Sequence, residues 1–212
     1  ESVDNPDFSH LYMMKTKLEH NLPSGKLDTT STPKRTNGST IQPTTEISCE
    51  IEDWSTSFNS RGWSNCSSTY PYIKGLYRSS ALSWQWDRIN HVEKANCCES
   101  FKNVKSDCVE KDWSSSFDKK NHWNLCTPGY YLSGLYRSDD HHLQNIEKAW
   151  CCKPHGPSNS RMTCYDQDVS QSFHWQRNGW VSCTKTGYYI TGLYKSNCKF
   201  LSCIDKLKCC KF

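Results

Sequence analysis

The chain has no Cys-x-x-Cys pair, no block of clustered Lys and Arg, and no long apolar run. Each absence excludes something. Zinc sites need cysteines spaced so that two side chains reach one tetrahedral ion, and here the close pairs are directly adjacent. A nucleic-acid surface needs a dense basic face, which a net charge of +4 spread along 212 residues does not supply. A membrane-spanning helix needs about 20 apolar residues in a row. No Ser/His/Asp or Cys/His nucleophile set stands out. Residues 1–46 contain neither Cys nor Trp, and residues 23–45 are rich in Ser, Thr, Pro, Gly and Lys, which cannot bury a core. They are read as a tail or linker, with a weak helical pattern over 9–22 (Leu11, Met14, Leu18, Leu22). The chain starts at Glu1, without Met or signal peptide, and is expected to be a mature or processed product.

What is plentiful is cysteine. Fourteen is an even, high count. Reducing compartments do not keep such a set oxidised, so the composition predicts seven disulfides and a secreted or lumenal protein. Twelve of the fourteen fall into a frame that occurs three times. The frames are Cys49, Cys66 and Cys97-Cys98, then Cys108, Cys126 and Cys151-Cys152, then Cys164, Cys183 and Cys209-Cys210. A bond between adjacent cysteines is strained. The first and second cysteine of each frame are therefore expected to bond one member of the doublet each, in either order. Cys198 and Cys203 remain, and are paired as a loop clip. If every cysteine is bridged, none serves as a nucleophile.

Within each frame the same aromatic signature returns. Tandem copies imply one structural unit used three times, over about 49–98, 108–152 and 164–210. Short aromatic segments broken by Gly, Asn, Ser and Pro read as strands. The clearest are 72–79, 130–138 and 188–196, each with a central glycine (Gly75, Gly134, Gly192) that suggests a bulge or close backbone approach. Further strands are predicted over 89–97, 143–151 and 201–209, and near Trp54, Trp113 and Val169. One small sheet cannot bury both of its faces, whereas three around an axis can each bury one. The expected fold is all-β, a β-prism with internal pseudo-threefold symmetry, from 47 to 212. A β-trefoil is the rival. The recurring rings Trp54, Trp113, Phe58, Phe117, Phe173, Trp63, Trp123 and Trp180 are expected to fill the core.

An aromatic start, Gly-Trp-x-x-Cys, a Gly-Tyr strand and an Ile-x-x-x-x-Cys close recur in order, the close being complete at Ile146 to Cys151 and Ile204 to Cys209. In these features the chain resembles the vitelline membrane outer layer protein family of bird eggs. The turn Asp139-Asp140-His141-His142-Leu143-Gln144-Asn145-Ile146 looks like that family's Asp-Asp-Thr-Ala-x-Asn-x-Ile loop, with the two histidines as departures. The Leu201-Ser202-Cys203-Ile204 stretch and the Cys-Cys endings are also similar to the triple-repeat accessory region that follows membrane-attack-complex/perforin domains in molluscan egg toxins. These resemblances imply a β-prism, an extracellular setting and a binding or coat-forming role without an active site.

Residues that break the threefold symmetry are the informative ones. Trp84 and Trp86, spaced by two, would face one way in an extended segment. There they would stack on sugar rings or sit in a membrane interface; the alternative is a local cluster under a longer loop. Asp139, Asp140, His141 and His142 invite a metal reading, but four adjacent residues seldom reach one ion and a solvated turn is expected. Asp139, Asp140 and Asn145 are candidates for sugar hydroxyls; adjacent aspartates do not make a hydrolase pair. Arg78, Arg137 and Lys195 recur at one strand end, either as a ring of cations for anionic headgroups and glycans or as solvated ends beside Glu93, Glu147 and Asp205. His174-Trp175 breaks the symmetry without an obvious role. Asn37 and Asn65 are glycosylation sequons. The reading is a secreted, cofactor-free, non-enzymatic module. It would bind glycan or lipid surfaces as the accessory part beside an upstream pore-forming domain, and would not bind nucleic acid. The alternative is a structural protein of an egg coat or matrix, bound to matrix polymer.

Overall fold

The computed structural model describes residues 47–99, 106–155 and 162–211. The expected helix over 9–22, the linker and Asn37 lie outside the described residues. The described residues form three four-stranded antiparallel sheets, as in a β-prism. The first contains β1 (Cys49–Asp53), β4 (Val92–Cys98), β3 (Tyr72–Arg78) and β10 (Gly179–Ser182), in that order. The second contains β5 (Ser106–Asp112), β8 (Ile146–Pro154), β7 (Tyr131–Arg137) and β2 (Gly62–Asn65). The third contains β9 (Thr163–Asp168), β12 (Ile204–Lys211), β11 (Tyr189–Lys195) and β6 (His122–Leu125).

Each repeat keeps three strands and gives one away. The short Gly-Trp strand of the first repeat, β2, completes the second sheet; β6 of the second repeat completes the third; β10 of the third completes the first. The exchange closes a ring. It also explains the central glycines. At each, the register of the middle strand shifts, between Ile73 and Gly75, Leu132 and Gly134, and Ile190 and Gly192. The incoming strand then lies against the glycine. A Cβ on Gly75 would sit 2.8 Å from the Val181 carbonyl oxygen, and one on Gly134 would sit 2.8 Å from that of Ser64. Both a bulge and a close approach are therefore present at one residue. The bulged residue also offers its carbonyl to the cysteine that follows the incoming strand: Cys66 N–H to Ser133 (2.8 Å), Cys126 N–H to Thr191 (2.9 Å) and Cys183 N–H to Lys74 (2.9 Å).

All seven bridges form, and each stays within its own repeat. The order left open by the sequence is resolved. Cys49–Cys98, Cys108–Cys152 and Cys164–Cys210 join facing residues of neighbouring strands in one sheet. Cys66–Cys97, Cys126–Cys151 and Cys183–Cys209 tie the end of each exported strand back to its own repeat. Three of the bridges therefore staple one sheet to the next. Cys198–Cys203 clips a loop.

Trp54, Trp113, Phe58, Phe117 and Phe173 are buried with the inward-facing aliphatic residues and form one core. Truncating such a ring typically costs about 3–5 kcal/mol. Tyr72, Tyr131 and Tyr189 pack as a second, three-way cluster at the doublet end of the prism, with ring centroids 5.0, 5.3 and 5.5 Å apart. Trp63, Trp123 and Trp180 are not core. They occupy the outer faces, edge-on to Tyr136, Tyr194 and Tyr77. Two strand boundaries also differ from expectation. The predicted strands over 89–97, 143–151 and 201–209 begin as 3-10 turns at Ile89–His91, Leu143–Asn145 and Leu201–Cys203. The strands expected near Trp54, Trp113 and Val169 end just before those residues, because all three turn inward into the core.

Candidate functional site

The end of the prism opposite the tyrosine cluster carries the least symmetric residues. Three loops meet there, after β3, β7 and β11. The first is five residues longer than the others between its strand-end cation and the following Ile89, Leu143 or Leu201. The extra residues leave three apolar side chains in solvent: Leu82 is 96% exposed, and Trp84 and Trp86 are 53% exposed each. Trp84–Trp86 is a 3-10 turn, not an extended segment. The two indoles therefore do not share one face as a flat pair, which corrects the spacing argument.

The loop is well braced. Trp84 meets Phe200 edge-on at 5.3 Å, and Phe200 in turn meets His142 at 5.9 Å. The Arg88 guanidinium lies over Trp86 at 4.6 Å, and the Lys199 ammonium lies over Phe200 at 5.7 Å. The His91 ring spans Ser79 Oγ (3.0 Å) and the Trp86 carbonyl (3.1 Å). The Ala81 N–H donates to the Trp175 carbonyl at 2.8 Å, which gives the His174-Trp175 dipeptide a role in supporting the loop. Beneath the loop, Asp87 is fully buried. Its Oδ1 accepts from Arg78 at 2.6 Å, its Oδ2 accepts from the Ser202 N–H at 2.7 Å, and its carbonyl accepts from the Leu201 N–H at 3.1 Å. The same main-chain link joins Ile89 to His141 and Leu143 to Lys199, so the three loops are chained head to tail.

Arg78, Arg137 and Lys195 form neither a surface ring nor solvated strand ends. All three are buried, and burial pulls each below its usual range; for Arg78 the Asp87 carboxylate opposes that shift. Each bonds the main chain of the turn that leads into an incoming strand. Arg78 donates to the Phe173 carbonyl at 2.7 Å, Arg137 to the Phe58 carbonyl at 2.7 Å, and Lys195 to the Lys119 carbonyl at 3.2 Å. Their burial and these bonds take the three cations off the solvent-facing surface.

The turn after β7 is internally bonded. Asp140 Oδ1 accepts the His141 N–H at 2.6 Å, and Oδ2 faces His142 Nδ1 at 3.0 Å. These contacts, His142 first, hold the Asp140 carboxyl below the usual range. Burial, reinforced by nearby Arg137, pulls His141 down. Asn145 is used by Ser138 (2.9 Å) and the His142 carbonyl (3.4 Å), and Asp139 faces Arg61 at 3.6 Å in solvent. Among the described residues, no three His, Cys, Asp or Glu side chains converge on a metal position. Of the residues singled out from sequence, Trp84 and His142 meet through Phe200, and Trp86 lies in the same 3-10 turn as Trp84; His142 also belongs to the polar turn that holds Asp140, His141 and Asn145. Sequence reasoning missed Leu82, Arg88, Lys199 and Phe200. The signal available was the length of the first loop. Asn65 is exposed on β2.

Comparison of the chain with protein-family models, with curated proteins and with solved structures returns no match.

Proposed function

We propose that this is a secreted, non-enzymatic module that docks on lipid membranes through the first-repeat tip. The observation that carries the reading is Leu82, almost wholly in water at the apex of a braced loop and flanked by two half-exposed indoles. Soluble folds leave such residues out where a partner or membrane covers them. Tryptophan favours the headgroup layer, where its ring is apolar and its N–H is wet. Arg88 and Lys199 rim the loop and suit anionic headgroups, each basic side chain near the surface contributing about 1 kcal/mol. Seven disulfides suit an oxidising compartment. By resemblance to the accessory regions of molluscan egg toxins, the module would deliver an attached pore-forming domain to its target surface.

The test is co-sedimentation with vesicles of phosphatidylcholine alone and with added phosphatidylserine. The protein is expected to bind both, more tightly when phosphatidylserine is present, with a blue shift of tryptophan emission. The L82D/W84S/W86S variant, folded and fully bridged, is expected to lose at least about tenfold in affinity. An unmodified protein that sediments with neither vesicle, or a variant that sediments as well as the parent, overturns the reading.

A further inference from the structure

The outer faces of the three sheets follow one plan. A tryptophan on the incoming strand faces a tyrosine, which faces a lysine: Trp180, Tyr77, Lys94 on the first; Trp63, Tyr136, Lys148 on the second; Trp123, Tyr194, Lys206 on the third. One row further from the tip, each middle strand has its bulge glycine, which contributes no side chain to the face. The residue facing that glycine decides what happens to the tryptophan. In the second sheet it is Trp150, whose ring reaches across to Trp63 with centroids 5.7 Å apart. In the third it is Lys208, whose ammonium lies 4.5 Å from the Trp123 ring centroid. In the first it is Asn96, which is too short to cross. Trp180 is accordingly 40% exposed, and among the described residues Tyr77 is its one aromatic contact, with no cation over its ring.

A second asymmetry converges on the same indole. The loop from Phe173 to Trp180 is longer than its counterparts ending at Trp63 and Trp123. Its extra length walls a shallow depression of about 330 Å³, lined by Gln171, Ser172, Arg177, Asn178, Gly179 and Trp180. Trp180 thus stands between polar groups of the loop on the tip side and, on the other, the row of Ser182, Gly75 and Asn96, in which no large side chain reaches across to its ring. The Asn96 amide lies in that row and, among the described residues, makes no side-chain hydrogen bond.

We infer that this face is a carbohydrate subsite for a pyranose ring, distinct from the membrane-docking tip. The C–H bonds on one side of a pyranose carry partial positive charge and stack on the negative face of an indole. Its hydroxyls need donors and acceptors beside the ring, which Asn96 supplies across Gly75 and which Arg177 and Gln171 supply in the depression. The other two sheets have the same strands and the same tryptophan, but Trp150 and Lys208 partly cover those rings. One subsite per molecule follows.

The sister sheets provide the test. Asn96→Trp places on the first sheet the residue that covers Trp63 on the second, at a position where the fold already accommodates it. The probes are the methyl β-glycosides of glucose, galactose and N-acetylglucosamine, observed by saturation-transfer NMR. At least one is expected to receive saturation at its ring protons from the unmodified protein. That transfer is expected to be lost in N96W, with affinity at least about tenfold lower, and retained in L82D/W84S/W86S. Absence of transfer to all three probes, or transfer undiminished in N96W, overturns the inference. Loss in L82D/W84S/W86S alone assigns the sugar to the tip and overturns it as well.

Discussion

Arg137 and Phe58 lie 79 positions apart in sequence, yet the guanidinium of one donates to the main-chain carbonyl of the other at 2.7 Å. The bond holds the turn from which the first repeat sends β2 into the second sheet. Its counterparts, Arg78 to Phe173 and Lys195 to Lys119, hold the other two crossings. Each is a buried cation that bonds a main-chain carbonyl, so its removal strands an acceptor away from water.

Arg137→Met is expected to destabilise the fold by about 1–3 kcal/mol, the range for one buried polar group left unpaired. Arg78→Met is expected to cost more, about 3–5 kcal/mol, because it also leaves the buried Asp87 carboxylate without its cation. Urea melts of the two variants give the ranking. Equal losses would mean that Asp87 adds nothing to the clasp.

Gly75→Ala forces a methyl group into contact with the Val181 carbonyl and Ser182 Cβ, both 2.8 Å away. Overpacking of this kind costs about 1–3 kcal/mol. Gly192→Ala is expected to cost at least as much, since a Cβ there would press harder on the Asn124 carbonyl and Leu125 Cδ2, whereas at Gly134 the Asn65 side chain would have to move as well. Ser80→Ala, on the exposed loop, is the neutral control.

The bridges are expected to differ in worth according to the loop they close. Cys66–Cys97 closes 31 residues and Cys198–Cys203 closes 5. Chain entropy alone puts these at about 3.7 and about 2 kcal/mol. Paired Cys→Ser replacements, compared by thermal denaturation, are expected to keep that order. Loss of Cys66–Cys97 should also release β2 from its own repeat, with faster amide exchange at Trp63 and Asn65.

Acid is expected to loosen the turn after β7. His141 is held below 6.5 by burial and by Arg137, with Arg88 and His142 acting in the same direction and Asp140 against. The folded state therefore takes up its proton less readily than the unfolded one. His141 contributes stability that is complete above 6.5 and is lost as the pH falls through its lower folded value. Its imidazole resonances are expected to titrate below 6.5, and His141→Gln is expected to flatten the fall in stability over that interval. Asp140, also depressed, stays ionised until the pH drops below 3.8, so its loss comes later.

Much of the scaffold was readable because three copies repeat the same answer. The buried Trp54, Phe58, Ile73 and Leu76, and their counterparts, sit at equivalent places in each frame, and the doublets left few ways to pair. The strand exchange was not readable. β2 looks the same whether it joins its own sheet or the next, since its pairing uses main-chain groups that carry no sequence mark. The burial of Arg78, Arg137 and Lys195 leaves no mark for the same reason: most of their partners are carbonyls, and a cation at a strand end reads as solvated. Trp180 reads as core because its exposure depends on Asn96, two strands away. Trp84 and Trp86 were legible through asymmetry, while Leu82 beside them has no pattern to betray it.

The closed exchange sets this architecture apart from linear repeat arrays. An open stack has end units with one neighbour each, which fray first and need polar caps. Here the third repeat completes the first, so every unit has a donor and an acceptor and none is terminal. Unfolding should accordingly be all-or-none across the prism, with no partly unravelled species for a protease to find.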